Sequence, residues 1–315
     1  MKKWFYVLIF LPLAVWAQTP STPLGYLQAM QAAHKSADFE LLYFLKQGEQ
    51  TASLRYRHAT EGKTQYAQLL HLENGREEII LKDNLVSYFG HGFQPFSLES
   101  EAILDNLPSA FYGDFSHLQG YNLVDGGRAR VADRIVRIIR LVPRDDFRYK
   151  YHLWIDEENF LLLKSELLDR DNQVLEEFRV VQAYVDEQMK FIIEPINSLV
   201  LPSLLTPSSQ AAQTQWQPKW LPAGFQRVKS SLQNLTIGSQ LEQVEGQFYS
   251  DGLFTFSIYV VQNKGIVFDE QFWRNDKLSI YSHTIGDKDV VIMGEIPLIT
   301  AKYIVEQIQF EEEAK

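Results

Sequence analysis

Seven arginines lie between Gly127 and Asp156, in a chain of 315 residues with a formal net charge of -10. Guanidinium groups bind phosphates and carboxylates through paired N–H donors, so unpaired arginines here could hold such groups on a partner. Alternatively, they could form cross-strand ion pairs, each contributing about 0.2–1 kcal/mol, with acidic residues of the following strands. Arg137 and Arg140 are the candidate partner-binding arginines. The acidic residues available for pairing are Glu166, Asp169, Asp171, Glu176 and Glu177.

Other reactive groups are sparse. The chain has no cysteine, which excludes thiol catalysis, thiolate metal sites and disulfides. Its seven histidines show no H-x-x-x-H or H-x-H spacing, and the sequence has no G-x-S-x-G, P-loop or dinucleotide-binding motif. The sequence therefore predicts a protein without catalytic residues, metal or cofactor.

Apolar side chains offer two possible binding sites. Aromatic residues make up 13% of the chain, which fits either an aromatic core or an apolar cavity for an acyl chain. A second aromatic group, Trp216, Trp220 and Phe225, could be packed or could form a partner-binding edge. The candidate residues for the lipid cavity are Ile103, Leu104, Leu107, Phe111, Tyr149, Tyr151 and Leu153.

The arginines lie on predicted strands. Tyr149, Tyr151, Leu153 and Ile155 alternate with polar and bulky neighbours, which is typical of a half-buried antiparallel strand. We interpret residues 127–156 as two long strands joined by a turn at Pro143–Asp146. Further strand-like runs at 160–168 and 174–185 extend this into a meander.

The part of the chain before the meander predicts a helix and further strands of the same sheet. Tyr26, Ala29, Met30 and Ala33 fall at helical spacing, which predicts a helix over 23–37 with Thr22 as its cap. Asn74-Gly75 and Asp83-Asn84 are typical hairpin turns. The segment 96–121 breaks the alternation and predicts short helices that cover the sheet. The predicted strands lie at 39–46, 53–58, 66–72, 78–82 and 85–89.

The predicted fold class is α+β, with a curved antiparallel sheet or open β-barrel under a helical cover, followed by a small α+β domain. Residues 1–17 have the form of a cleaved signal peptide, with Lys2 and Lys3 before an apolar run and an alanine at position 17. We predict an N-terminal domain at 18–194, a linker at 195–215 and a C-terminal domain at 216–315. The second domain should contain strands at 244–249, 254–261, 279–283 and 290–293, and a helix capped by Thr300. The acidic charge argues against nucleic-acid binding.

Several segments resemble the RseB/MucB family, in order along nearly the whole mature chain. They are SLRYRHA (53–59), AQLL (67–70), PFSL (95–98), LPS (107–109), the arginine stretch, LLDRD (167–171), EEFRV (176–180), WLPAGF (220–225) and YSDGLFTFS (249–257).

This resemblance implies a periplasmic, non-catalytic negative regulator of the sigma-E envelope-stress response. Family members have an N-terminal domain similar to periplasmic lipoprotein carriers, an open β-barrel covered by helices. They bind the periplasmic domain of the anti-sigma factor RseA and shield it from the protease DegS, and lipopolysaccharide or another acyl lipid releases this inhibition. A periplasmic lipid or lipoprotein carrier is the alternative function. The aromatic-rich surfaces are also compatible with a homodimer.

Overall fold

The structure is a computed structural model that describes residues 20–73, 77–205, 210–211, 213–237, 240–263 and 270–310. The predicted signal peptide, the Asn74-Gly75 turn and residues 311–315 lie outside these residues. The helices are α1 (Pro23–Ser36), α2 (Ile193–Ser198) and α3 (Leu298–Glu306), with 3-10 turns at Ser109–Phe111 and Glu187–Ile192. None of the helices in the described ranges has the length and apolarity to cross a bilayer.

The strands, numbered in chain order, are β1 (Phe39–Gln47), β2 (Gln50–Glu61), β3 (Thr64–His71), β4 (Glu78–Lys82), β5 (Leu85–Phe89), β6 (Phe96–Glu99), β7 (Tyr121–Val131), β8 (Arg134–Pro143), β9 (Lys150–Asp156), β10 (Leu162–Leu168), β11 (Val174–Val185), β12 (Gln210–Ala211), β13 (Trp216–Pro218), β14 (Gln226–Ile237), β15 (Gln240–Ser250), β16 (Thr255–Gln262), β17 (Gln271–Asn275), β18 (Leu278–Ile285), β19 (Lys288–Gly294) and β20 (Ile308–Phe310).

Strands β1–β11 form one antiparallel sheet, in the order β6-β5-β4-β3-β2-β1-β11-β10-β9-β8-β7. The first strand therefore lies in the middle, where Phe39 pairs with His58 of β2 and with Val185 of β11. Because β6 and β7 are both unclosed ends, the sheet is open, as predicted. Its apolar side chains, such as Tyr56 and Leu153, alternate inward and are fully buried.

Helix α1 covers the buried face of this sheet. Thr22 caps it as predicted, because its Oγ1 accepts a hydrogen bond of 3.0 Å from the backbone N–H of Gly25. His34, near the end of α1, is completely buried and stacks on the Phe111 ring with centroids 3.8 Å apart. Its Nδ1 lies 2.7 Å from the Phe111 carbonyl oxygen, and its Nε2 accepts from the N–H of Leu162. The imidazole of His34 thus joins helix α1, the segment that contains Phe111, and strand β10 of the sheet.

We predict that this histidine makes stability fall with acidification. Burial lowers the pKa of His34 from 6.5 to about 3, against the raising effect of the hydrogen bond to Phe111. The unfolded chain binds a proton at His34 as the pH falls below about 6.5, whereas the folded chain binds it only near pH 3. Stability is therefore lost as the pH falls through this window. At pH 5 the loss is about 2 kcal/mol relative to pH 7.5. Urea unfolding at both pH values should therefore give a smaller pH effect for His34→Gln, whereas the exposed control His117→Gln should behave as the parent.

The segment between β6 and β7 is mostly irregular, so the prediction of short helices across 96–121 is wrong for most of its length. The predicted range 96–121 begins with strand β6 and contains one 3-10 turn at Ser109–Phe111. Asn106 has a left-handed backbone (φ 56°) and Pro108 follows it, and both prevent a continuous helix. The apolar residues Ile103, Leu107 and Phe111 still point into the core, so the segment shares the cover with α1.

The arginine stretch forms three strands rather than two. The extra turn lies at Ala132 and Asp133, which have left-handed φ values of 48° and 60° and join β7 to β8. Neither glycine nor asparagine marks this turn, so the strand appeared continuous in the sequence.

A second antiparallel sheet follows, in the order β12-β14-β15-β16-β19-β18-β17, together with the small pair β13-β20. Helix α3 packs against β18 and β19, which gives the predicted small α+β unit. The prediction of Thr300 as the cap is wrong, because the helix begins after Pro297 and Thr300 lies inside it. Its hydroxyl donates instead to the carbonyl of Phe147, in the loop before β9. Strands β14 and β17 were not predicted.

Part of the predicted linker contacts the first sheet. The N–H of Ser97 in β6 donates to Ser203 (3.0 Å), and the N–H of Leu205 donates to the carbonyl of Ser97 (2.8 Å). Residues 203–205 therefore run beside β6 and occupy its outer edge. Below, residues 20–205 are called the N-terminal lobe and residues 210–310 the C-terminal lobe.

Candidate functional site

The two lobes meet at strand β9. The rings of Tyr149 and Tyr151 contact Phe254 of the C-terminal lobe, at centroid distances of 6.0 and 5.9 Å. The Tyr149 hydroxyl lies 3.0 Å from the carbonyl oxygens of Lys277 and Ile296. All three aromatic rings are buried, so this contact continues the hydrophobic core from one lobe into the other.

A cluster of three charges, the junction ion cluster, crosses the same boundary. Lys277, in the turn between β17 and β18, lies 2.9 Å from Glu176 of β11 and 2.9 Å from Glu295 after β19. Burial by itself lowers the pKa of Lys277, but the two carboxylates more than offset this and the pKa is raised. With one ammonium and two carboxylates, the cluster carries a net negative charge and disfavours anions nearby.

Arg148 forms a second charged link between the lobes. Its guanidinium contacts Asp145 through paired hydrogen bonds and donates to the carbonyls of Gln119 (3.1 Å) and Ala223 (2.9 Å). It also lies 3.8 Å from Asp251, a carboxyl whose pKa is raised by burial. Gly120 has φ 79°, and a Cβ at this position would overlap the guanidinium. This arginine of the predicted binding stretch is therefore buried and fully engaged in structure.

A cavity of about 230 Å³, the junction cavity, opens between the lobes beside the ion cluster. Its walls are apolar where Leu104, Leu107, Tyr112 and Leu253 face it. Ser109, whose hydroxyl donates to Glu295 (2.6 Å), contributes a polar group together with Lys277. The cavity could hold one or two apolar side chains of a partner, and its polar side favours a hydrogen-bond donor or a cation over an anion.

The structure separates the residues predicted to line a lipid cavity. Leu104 and Leu107 do line the junction cavity, and Leu104 is 65% exposed. The others lie in the packed core under the sheet, namely Ile103, Phe111, Tyr149, Tyr151 and Leu153. Their contact with lipid stays a prediction.

The two candidate arginines differ from each other. Arg137 pairs with Asp125 (3.2 Å) and Glu157 (3.0 Å) and lies over the ring of Tyr26. Arg140 is exposed, and among the described residues it has no hydrogen bond or ion pair. A role in partner binding stays a prediction for both.

Most other arginines of the stretch also form ion pairs, but in the described residues none of these pairs involves the acidic residues expected from sequence, so that part of the prediction is wrong. Arg128 pairs with Glu157, and Arg134 with Asp156 and Glu158, which lie at the end of β9 and in the turn that follows it. Of the acidic residues proposed from sequence, Glu166 and Glu177 contact Lys164, Glu176 contacts Lys277, and Asp169 contacts Arg274.

Trp216, Trp220 and Phe225 do not form one surface. Trp216 is buried in β13 and donates from Nε1 to Glu245 (2.6 Å), and Phe225 is buried against Phe256. Trp220 is partly exposed and packs with Phe147 and Tyr303 near the lobe boundary. A partner-binding role for this aromatic group stays a prediction.

Sequence reasoning missed the charged and aromatic residues that join the lobes. Lys277, Glu295 and Phe254 are far apart in sequence from Glu176 and Tyr149, and no local spacing connects them. In the described part of the chain, no group of three or more histidine and acidic residues could hold a metal ion.

The chain belongs to a class of two-lobed proteins in which an open antiparallel sheet is joined through a buried boundary to a smaller α+β lobe. Its described residues contain no recognisable catalytic constellation. The same architecture occurs in the crystal structure of MucB in complex with MucA(peri), with a TM-score of 0.72 over 92% of this chain and 99% of that chain at 23% identity.

The chain belongs to the MucB/RseB family. The sequence models of the MucB/RseB N-terminal and C-terminal domains match residues 22–216 and 210–309. The Sigma-E factor regulatory protein RseB of Haemophilus influenzae is 38% identical over 287 residues, with 90% of each chain covered. The protein of the same name from Escherichia coli K12 is 37% identical over 298 residues, with 93% of each covered.

Proposed function

We propose that this protein is a non-catalytic periplasmic negative regulator of the sigma-E envelope-stress response. It binds the periplasmic domain of the anti-sigma factor RseA and shields that domain from cleavage initiated by DegS. The observation that carries this proposal is the match of both family domain models, in order, along the chain. Support also comes from the regulatory names of the relatives and from the crystallisation of MucB with the periplasmic part of MucA.

The proposal includes the organisation of the chain. Residues 1–17 serve as a cleaved signal peptide, 18–194 form the N-terminal domain, 195–215 the linker and 216–315 the C-terminal domain. RseA binds at the lobe boundary, where a cavity with apolar walls adjoins buried charges that both lobes supply. Arg140 is an available cation on the same N-terminal lobe, since it is exposed.

Lipopolysaccharide, or another acyl lipid, releases RseA in this proposal. The lipid acts in the N-terminal lobe, whose apolar face is covered by α1, by the irregular segment after β6 and, at Tyr149 and Tyr151, by Phe254 of the C-terminal lobe. A lipid that binds the free regulator better than the complex must weaken RseA binding by the same factor, because linkage between two ligands is reciprocal. Contacts across the lobe boundary, such as that between Glu176 and Lys277, offer a physical route for the coupling.

Titration of the mature chain with the periplasmic segment of its own RseA, with and without lipopolysaccharide, tests this function. We expect a stable complex whose affinity falls about tenfold or more when lipid is present. Light scattering of the free chain tests for a homodimer in the same samples. Absence of a complex in both conditions, with transfer of labelled lipid between vesicles, would support the lipid or lipoprotein carrier instead.

A further inference from the structure

Strand β17 is an edge of the C-terminal sheet that no other strand or segment of the described residues covers. It is the last strand in the described sheet order and pairs there only with β18. All five of its residues are exposed, including Phe272 at 69% and Trp273 at 50%. The pairing with β18 is regular from Gln271↔Ser282 to Asn275↔Leu278, without a bulge.

The other three sheet edges are protected. Residues 203–205 run along the outside of β6, and β7 contacts helix α1 and has a bulge between Asp125 and Arg128. The edge strand β12 has only two residues. Proteins commonly block edges by such means, because a bare row of N–H and C=O groups pairs readily with another strand. Strand β17 contains no proline, lysine or bulge that would prevent this pairing, and its charged side chain, Arg274, reaches back to Asp169 of the N-terminal lobe (3.4 Å).

The sheet face next to this edge has no charged side chain in two rows that cross five strands, and the first of these rows meets a charge only at Lys229 on the sixth strand, β14. Directly paired residues share a face, so Trp273, Ile280, Met293, Ser257 and Phe248 form one row across five strands. A neighbouring row is Gln271, Ser282, Val291, Tyr259 and Gly246, and neither row contains a charged side chain. The larger side chains in both rows are partly or fully exposed, whereas Ile258, Ile292 and Tyr281 on the opposite face are buried.

The edge also leads into the lobe boundary. Asn275 is followed by the turn that contains Lys277, and Lys277 lines the junction cavity. A chain that lies along β17 can therefore continue into that cavity and place an apolar side chain between Leu104 and Leu253.

We propose that an extended segment of the anti-sigma factor's periplasmic domain adds as a further strand beside β17. This inference rests on the proposed function and specifies its binding mode. The segment carries apolar residues at alternate positions, because those on one side extend the uncharged row that ends at Trp273. A second polypeptide backbone replaces the water on the outward N–H and C=O groups with acceptors and donors at the matching spacing, which an acyl chain cannot supply, so the recognised ligand is a peptide strand rather than a lipid.

Two variants of the full chain test the surface. Trp273→Glu should weaken binding of the purified RseA periplasmic segment about tenfold or more, since it places a charge in the apolar row. The matched control Val228→Glu changes a 66% exposed side chain on β14 of the same sheet and should bind as the parent. Urea unfolding should show that both variants fold, because both side chains are largely exposed.

Hydrogen–deuterium exchange of the parent chain supplies a readout that needs no variant. Those amides of 271–275 that do not already bond to β18 should become protected when RseA binds. A complex that leaves these amides unprotected, with Trp273→Glu binding as well as the parent, would overturn the strand-addition mode while leaving the proposed function intact. Amide protection of β17 in the free chain could instead rise with protein concentration and accompany a dimer mass. That result would assign the edge to a second copy of the chain and would also overturn the strand-addition mode. Failure of the parent to bind RseA would remove the proposed function and this inference together.

Discussion

Replacement of Arg148 by methionine is expected to lower the free energy of unfolding by about 3–5 kcal/mol, because it leaves a buried acidic partner without a counter-charge. The guanidinium is almost completely buried and lies between Asp145 and Asp251. It also satisfies the carbonyls of Gln119 and Ala223, which belong to different lobes. Methionine keeps much of the packing volume but supplies none of these hydrogen bonds. Urea unfolding at pH 7.5 measures the loss.

Arg140→Met is the matched control. This arginine belongs to the same stretch but is exposed and lacks an ion-pair partner in the described residues, so the change should be within about 0.5 kcal/mol. Equal stabilities of the two variants would contradict the structural role assigned to Arg148. A loss of RseA binding in Arg140→Met at unchanged stability would instead support the partner-binding role predicted for that residue.

The second large effect is expected for Phe254→Ala, which removes the ring that packs on Tyr149 and Tyr151 across the lobe boundary. Truncation of a fully buried phenylalanine typically costs about 3–5 kcal/mol. Because the lost contacts join two sheets, we expect the lobes to unfold in separate steps rather than together. Trp216, Trp220 and Trp273 lie in the C-terminal lobe and Trp154 in the N-terminal lobe, so tryptophan fluorescence and far-ultraviolet circular dichroism weight the two lobes differently, and their urea transitions should no longer coincide.

Phe248→Ala makes the same substitution on the neighbouring strand β15, where the side chain is partly exposed on the outer face. It should cost about 1 kcal/mol and keep a single transition. Two separate transitions in the parent chain would show that the boundary does not couple the lobes.

The regular strands could be predicted because their signals are local. Strands β4 and β5 begin and end at the predicted residues, since short apolar runs flank Asp83-Asn84 and Asp83 adopts the left-handed backbone that such a turn needs. Helix α1 was likewise recognisable from its spacing and from the Thr22-Pro23 start. The hairpin at Ala132-Asp133 was missed because a single aspartate, without glycine, asparagine or proline beside it, is a weak turn signal. Strand β17 was missed because QFWRN is exposed on both faces and does not alternate.

The candidate site depends on contacts that local patterns do not encode. The seven arginines were visible, but the sequence could not distinguish Arg148, buried between the lobes, from the exposed Arg140. Lys277 has no unusual neighbours in sequence, and it becomes central only because the fold brings Glu176 and Glu295 to it. Tertiary pairing therefore determines which charges are structural and which remain available to a partner.

The central position of β1 affects the timing of folding during synthesis. Phe39 is made early, but its partner Val185 is made only after nearly all the other strands of that sheet. At bacterial translation rates this delay is on the order of ten seconds, during which one side of β1 has no partner strand. The nascent chain therefore has to be held unpaired until β11 emerges, and fragments that end before Val174 should aggregate rather than fold.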